Sequence, residues 1–211
     1  MFTKIRNSIG LIYLVTLLWC AESTSANDST KVRNVGIRSE EPHGEQLLAR
    51  APDGWQQGFA TTTPVLRMVE FFPDDDSMKD WTEKVTFESL SGHPLPDPIE
   101  FVTGIGADQS ASCERFEHLN IRSGLENNYP TSVRLLTCNH NKLTQRAQVT
   151  LIKAIQANDH FYVITRSKRV PPVSQGTQPI SEAEIATWAT YMRGITVCDS
   201  ERNEHPCPAR E

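Results

Sequence analysis

The sequence lacks the short motifs by which many enzymes are recognised. None of G-x-S-x-G, H-E-x-x-H or a glycine-rich phosphate-binding loop occurs in its 211 residues. Three histidines, His118, His140 and His160, fall in or near predicted strands, but they lack the paired spacing of metal ligands. The carboxylates are too many and too dispersed for an acid and a base to be selected. The sequence therefore predicts no catalytic residue, no cofactor and no metal site.

A block of basic residues is also missing. The densest basic cluster is Arg166, Lys168 and Arg169. Twenty-one lysines and arginines against 26 acidic residues give a formal net charge of −5. Nucleic-acid-binding domains carry a basic patch or stripe on one face. The composition thus excludes nucleic acid as the expected partner and leaves an unknown protein or a small ligand.

No apolar run is long enough to span a bilayer, because a transmembrane helix needs about 20 apolar residues. Lys4 and Arg6 precede a shorter apolar stretch, Ile9 to Trp19, and small polar residues follow it. This layout is typical of a signal peptide, with cleavage after Ala26 favoured over cleavage after Ser23. We expect removal of residues 1–26, a periplasmic or secreted location and no stable transmembrane anchor.

The N-terminal region carries one further alternative. Leu17 to Cys20 resembles a bacterial lipoprotein box, but such boxes need a small residue directly before the cysteine, where this chain has Trp19. A lipid anchor on Cys20 is therefore the less favoured hypothesis. Residues 27–50 are polar, charged and aperiodic, which predicts a flexible segment ahead of the folded domain.

Beyond Cys20, four cysteines remain: Cys113, Cys138, Cys198 and Cys207. They form no C-x-x-C pair of the kind that zinc sites use. An even number of cysteines in an exported chain favours two disulfides, with three connectivities open. The closeness of Cys198 to Cys207, with prolines on either side of the latter, favours pairing these two and joining Cys113 to Cys138.

The stretch from Val65 to Leu90 organises the strand pattern. One strand ends near Pro73, and a second alternating run begins near Val85. The clearest pair is a hairpin, Ala147–Gln156 with His160–Arg166, because apolar residues recur at every second position on either side of a short polar turn. Further alternating runs predict strands at Trp55–Thr62, Phe116–Arg122 and Thr131–Cys138.

Capping residues predict two helices. Asp97, followed by Pro98 and Glu100, begins a mid-chain helix that two glycines should keep short. Ser181 with Glu184 begins an amphipathic helix near the C-terminus.

An acidic corner at Asp74–Asp76 allows two interpretations. It precedes Ser77, and acidic residues favour the N-terminal end of a helix, so we expect a short helical turn that carries Trp81. A calcium site is the less favoured interpretation, because the alternating spacing of a calcium-binding loop is absent.

Together these elements predict one α+β domain over residues 51–198. Its antiparallel sheet has five to seven strands, with the short mid-chain helix and the C-terminal amphipathic helix packed on it. Residues 199–211 form a tail tied by the second disulfide.

A resemblance to known proteins rests on several short matches. Gly54-Trp55, the strand end Glu70 to Pro73, residues 81–86 and residues 161–164 resemble a group of small uncharacterised exported bacterial proteins. The order of elements also resembles the Mog1/PsbP-like α/β/α sandwich. This resemblance implies a non-enzymatic binding or assembly module of the bacterial envelope or secretome. The alternative is an extracytoplasmic hydrolase whose site the sequence does not reveal.

Overall fold

A computed structural model of the protein describes residues 44–174 and 176–208. These residues form nine strands and two helices. In chain order the elements are β1 (Glu45–Leu48), β2 (Trp55–Thr62), β3 (Leu66–Pro73), β4 (Glu83–Ser91), α1 (Pro98–Ser112), β5 (Phe116–Glu126), β6 (Tyr129–Asn141), β7 (Arg146–Gln156), β8 (His160–Val170), α2 (Glu182–Arg193) and β9 (Thr196–Asp199). Neither helix is long and apolar enough to cross a membrane.

Seven of the strands form one antiparallel sheet in the order β2-β3-β4-β8-β7-β6-β5. The predicted hairpin is its centre: β7 pairs with β8 from Ala147 opposite Val170 to Gln156 opposite Phe161. Strands β1 and β9 pair in a separate two-stranded sheet. The α+β class and the five- to seven-stranded antiparallel sheet are therefore confirmed.

The two helices cover opposite faces of the seven-stranded sheet. Trp188 of α2 is 1% exposed and belongs to the larger apolar cluster, with Leu151 and Ile164 of the sheet. Val102 of α1 is 0% exposed and belongs to the second cluster, with Ile152. Successive side chains of a strand point to opposite faces, so the central strands are apolar on both. We call the two sides the α2 face and the α1 face.

Both predicted helix caps are present. The Asp97 carboxylate accepts hydrogen bonds from the backbone N–H groups of Ile99 (2.8 Å) and Glu100 (2.9 Å). The Ser181 hydroxyl accepts one from Glu184 N at 3.2 Å. The mid-chain helix extends over 15 residues and is thus longer than predicted. Its last turn leads directly into Cys113, whose disulfide holds this end against β6.

Two disulfides crosslink the described chain. Cys113 and Cys138 join the end of α1 to β6, with their Cα atoms 5.6 Å apart. Cys198 and Cys207 close the C-terminal loop beyond β9, with their Cα atoms 4.8 Å apart. These are the pairs that the sequence analysis favoured. The loop model of crosslinking assigns such bonds about 2 to 4 kcal/mol each.

Strand β1 differs from the sequence analysis. Glu45–Leu48 lies in the segment predicted to be flexible up to residue 50, yet it pairs with Thr196–Asp199 in the order Glu45 opposite Asp199 to Leu48 opposite Thr196. Four residues are too few to show strand alternation, and the pairing strand lies near the other end of the sequence. The predicted signal peptide, Cys20 and residues 27–43 lie outside the described residues.

The predicted helical turn after Ser77 is wrong. Between β3 and β4 the chain forms turns and bends without a helix. The Asp76 carboxylate accepts hydrogen bonds from Thr82 N (2.6 Å), the Thr82 hydroxyl (2.8 Å) and Glu83 N (3.0 Å). Asp76 therefore holds the loop against the start of β4. Its carboxylate binds residues six and seven positions later and does not cap a helix at Ser77.

Candidate functional site

A cleft of about 260 Å³ opens on the α2 face, at one end of the sheet. Strand β1 forms one side of it through residues 45–47, and the β2–β3 turn forms the opposite side. The ends of β4 and the start of β8 form the base. The cleft therefore exists because β1 is held across the end of the sheet by its pairing with β9.

A glutamate and a histidine fix β1 in this position. One oxygen of Glu45 accepts hydrogen bonds from the N–H groups of Asn158 (2.7 Å) and Asp159 (3.0 Å) in the β7–β8 turn. The other oxygen accepts from His160 N (3.1 Å) and faces His160 Nδ1 at 3.2 Å. Only 2% of the Glu45 side chain is exposed, against 38% for His160. The imidazole thus stands between a buried carboxylate and the open cleft.

Each partner shifts the titration of the other. Burial by itself raises the pKa of the Glu45 carboxyl, but the hydrogen bonds from His160, Asp159 and Asn158 outweigh it and lower the pKa below the ordinary 4.5. The hydrogen bond to Glu45 raises the pKa of His160 above 6.5, against a smaller opposing contribution from burial. The pair therefore favours a carboxylate beside an imidazolium.

The floor of the cleft is apolar. Leu47, Phe87 and Tyr162 line it and are 8%, 2% and 6% exposed, respectively. Burial, and next the negative charge of Glu45, raises the pKa of the Tyr162 hydroxyl, so this phenol stays neutral. An apolar floor with a few polar groups at its edge is the usual composition of a small-molecule site.

The edge of the cleft carries one cationic side chain and two hydroxyl groups. Arg67 of β3 and two serines of β4, Ser89 and Ser91, line it. None of the three makes a side-chain hydrogen bond or ion pair with another described residue. Ser91 lies directly opposite His160 in the β4–β8 ladder, where paired side chains lie about 5 Å apart.

The three histidines named from the sequence do not come together. His118 lies on the exposed edge strand β5. His140 lies at the end of β6 and pairs with Glu114 at 2.9 Å, whereas His160 begins β8 at the opposite end of the sheet. Only His160 lines the cleft. Sequence reasoning missed Glu45, because it lies in a charged segment without periodicity and its partner is 115 residues away.

A buried lysine on the α2 face has a structural role. Lys153 is 0% exposed, and its ammonium group donates to the carbonyl groups of Met192 (3.0 Å) and Ile195 (2.7 Å) and to Glu126. The first of these carbonyls belongs to the last turn of α2, and the second lies between α2 and β9. Burial lowers the pKa of Lys153 despite the bond to Glu126. With three acceptors in place, the group binds α2 to the sheet.

A half-buried arginine on the same face packs against aromatic rings. The guanidinium of Arg166 lies 5.1 to 5.5 Å from the ring centres of Trp55, Trp188 and Tyr191 and 3.5 Å from Glu83. Arginine favours such positions over aromatic faces. Its own side chain fills this aromatic cage. In the described ranges, no group of three or more His, Cys, Asp or Glu residues is placed to hold a metal ion.

Comparison with known proteins gives similarity of fold alone. No family model matches the sequence, and no curated protein matches it. Among solved structures, the chain is similar to LpqN of Mycobacterium tuberculosis, described as involved in cell envelope biogenesis, with a TM-score of 0.42 and 10% identity over 78% of this chain and 90% of that one. It is also similar to the Ran-binding protein Mog1p of Saccharomyces cerevisiae, with a TM-score of 0.40 and 14% identity over 74% and 92%.

A point mutant of Mog1 is similar at a TM-score of 0.37, with 12% identity over 69% of this chain and 78% of that one. The resemblance to a Mog1-like sandwich is therefore confirmed as a weak one. At these scores it concerns the path of the chain and says nothing of partners or activity.

Proposed function

We propose that the protein is an exported, non-enzymatic binding module of the bacterial envelope or secretome, and that its ligand site is the cleft. The observation that carries this proposal is the cleft itself: an apolar floor edged by polar side chains with no partner among the described residues. Two disulfides support export, since such bonds persist in oxidising compartments. The Glu45 side chain is only 2% exposed, which supports a cleft that is already formed before a ligand binds.

Ligand binding at the cleft is tested by NMR with a library of small fragments. Fragments that bind there should shift the amide signals of Leu47, Phe87 and Tyr162 together. Ser91→Trp should block them, because the new ring enters the cleft from its exposed edge. Thr144→Trp, in the exposed β6–β7 turn at the other end of the sheet, is the matched control. A screen in which no fragment shifts the cleft signals would overturn the proposed site.

Export is tested separately by intact-mass analysis of the protein from an extracytoplasmic fraction. We expect a mature chain that begins at Asn27 and contains two disulfides. A chain that retains Met1 to Trp19 in that fraction would contradict cleavage. A lipid group on Cys20 would establish the lipoprotein alternative instead.

One geometrical feature favours a second function, an extracytoplasmic hydrolase. Glu45, His160 and Ser91 follow one another in space as carboxylate, imidazole and cross-strand hydroxyl. In such an arrangement the carboxylate orients the histidine, and the histidine activates the serine as a nucleophile. No hydrogen bond joins Ser91 to His160 in the described structure, so the imidazole is oriented by Glu45 but the hydroxyl is not engaged.

The hydrolase alternative is tested with activated esters and a fluorophosphonate probe. A hydrolase should label at Ser91 and lose labelling in both Ser91→Ala and His160→Ala. Unlabelled protein with intact fragment binding would leave the binding module as the function. Labelling that survives in Ser91→Ala would place any reactivity elsewhere.

A further inference from the structure

From the hydrogen-bonding groups of the cleft we infer that its ligand is an anionic amphiphile: a carboxylate or phosphate group bound by Arg67, His160 and the β4 serines, with an apolar body on the floor of the cleft. This inference rests on the proposed function, because it names the chemical class of the ligand at the same site. The chemical class of the ligand depends on which hydrogen-bonding side chains of the cleft already have partners among the described residues and which have none.

The Glu45 carboxylate in the cleft already has its hydrogen-bond partners. Glu45 accepts two hydrogen bonds at one oxygen and two at the other, so neither oxygen needs a ligand. Glu88 contributes to the lining, but strand alternation points its side chain to the α1 face, where Glu70 and Lys84 are its charged neighbours. Burial, and next the charge of Glu70, raises the pKa of Glu88. The cleft therefore offers a ligand no open carboxylate.

The donors in the cleft remain open. Arg67 carries a positive charge. It lies on the α2 face, because it alternates along β3 with Val69 and Phe71 of the apolar cluster there. Ser89 and Ser91 share that face with Phe87. Hydrogen bonds between such donors and an anionic oxygen are about twice as strong as neutral ones. An anion thus matches the positive charge of Arg67, whereas a cation would be repelled by it and would meet no open carboxylate.

The imidazole adds a pH-dependent donor. Its Nδ1 is committed to Glu45, which leaves Nε2 for the ligand. The charged and titratable groups around it are Glu45 from β1, Asp159 in the β7–β8 turn, Tyr162 on its own strand and Arg67 across the cleft. When His160 is protonated, Nε2 donates to the anion. When it is neutral, both that donor and the positive charge are lost.

The apolar floor selects for more than a free anion. Leu47, Phe87 and Tyr162 expose only small fractions of their surface, and the half-buried Leu66 adds further apolar surface that an inorganic phosphate would leave uncovered. Covering them is worth about 25 cal/mol per Å² of apolar surface. A ligand with a chain or ring attached to its anionic group should therefore bind more tightly than acetate or phosphate.

Four probes with the same eight-carbon chain separate these contributions: octanoate, octyl phosphate, octanol and octyltrimethylammonium. We expect either anionic probe to bind in the cleft at least tenfold more tightly than octanol, and the cationic probe not to bind. The stronger of the two anions identifies the headgroup. Binding is followed by calorimetry, with NMR shifts at Leu47 and Tyr162 to locate it.

Variants assign the selectivity to named groups. Arg67→Gln and His160→Gln should each weaken octanoate binding about tenfold, as expected for one charge-assisted contact, and leave octanol binding unchanged. Arg146→Gln, which removes an exposed arginine at the other end of the sheet, is the matched control and should have no effect. Octanoate binding should weaken as pH rises through the titration of His160, and His160→Gln should remove this dependence.

The outcomes separate this inference from the proposed function. Octanol or octyltrimethylammonium bound in the cleft as tightly as octanoate would overturn the anionic class and leave the binding site standing. If none of the four probes shifts the cleft signals, the inference fails. The proposed site then also fails unless the fragment screen places another ligand there.

Discussion

The two ends of the sheet each carry a histidine paired with a glutamate, and the two pairs differ in burial rather than in distance. His140 Nδ1 lies 2.9 Å from Glu114, and His160 Nδ1 lies 3.2 Å from Glu45. Yet 52% of the Glu114 side chain is exposed, against 2% for Glu45. The shorter contact is in solvent. The longer one belongs to a carboxylate that also holds a backbone turn and forms one side of the cleft.

The difference shows that the contribution of an ion pair to stability depends on the other groups that its two side chains bind. Water can replace an exposed partner at little cost, so surface ion pairs contribute about 0 to 1 kcal/mol. A buried carboxylate that accepts three backbone N–H groups has no such replacement. The cleft end of the sheet is therefore specified by Glu45, whereas the other end is secured by the Cys113–Cys138 disulfide.

The largest expected effect comes from removing the disulfide at each end. With sequence separations of 25 and 9, the loop model gives losses of about 3.5 kcal/mol for Cys113→Ser with Cys138→Ser and about 2.6 kcal/mol for Cys198→Ser with Cys207→Ser. Urea unfolding measures both. Only the second pair should also shift the amide signals of Glu45 and His160, since β9 holds β1. Equal shifts from both would remove the distinction between the ends.

Glu45→Ala against Glu114→Ala is the direct comparison of the two glutamates. We expect Glu45→Ala to lower the free energy of unfolding by about 2 to 3 kcal/mol, because backbone N–H groups in the β7–β8 turn lose their acceptor. Glu114→Ala should lower it by less than about 0.5 kcal/mol. Thermal and urea unfolding provide the measurement. Similar losses at the two sites would show that burial does not separate them.

A pH series sharpens the comparison through the two pKa shifts. The pKa of Glu45 is lower in the folded protein, so its stabilisation is present above 4.5 and is lost as pH falls through the folded pKa. The pKa of His160 is higher in the folded protein, so its stabilisation is present below 6.5 and is lost as pH rises through the folded pKa.

The difference in stability between wild type and His160→Gln should therefore be greatest between pH 4.5 and 6.5 and should decline as pH rises through the folded pKa of His160. Unfolding in urea at a series of pH values gives this difference. His140→Gln, at the other end of the sheet, is the matched control. A difference that grows above pH 8 would reverse the assigned direction.

The smallest expected effect is the coupling between the members of the exposed pair. A double-mutant cycle with Glu114→Gln and His140→Gln should give a coupling of about 0 to 0.5 kcal/mol at pH 6, and moderate salt should remove it. The same cycle on Glu45 and His160 should give a larger coupling that salt changes little. Equal salt sensitivity would indicate that water reaches both pairs.

Much of the fold could be predicted because it depends on neighbours in sequence. The β7–β8 hairpin follows from alternation on either side of a short turn, and the caps at Asp97 and Ser181 act on residues two or three positions ahead. The helix expected after Ser77 failed for the opposite reason. The Asp76 carboxylate binds residues six and seven positions on, a contact that local propensity does not include.

By itself, the sequence determined the strand alternation of the sheet, the two helices and the favoured cysteine pairs, because period, caps and cysteine number act locally or by simple counting. The tertiary structure alone decided that Glu45–Leu48 pairs with Thr196–Asp199 and that Glu45 meets His160. A strand of four residues shows too little alternation to predict its partner strand. A contact between residues 115 positions apart forms only after the sheet has brought the two segments together. The cleft is a product of that closure.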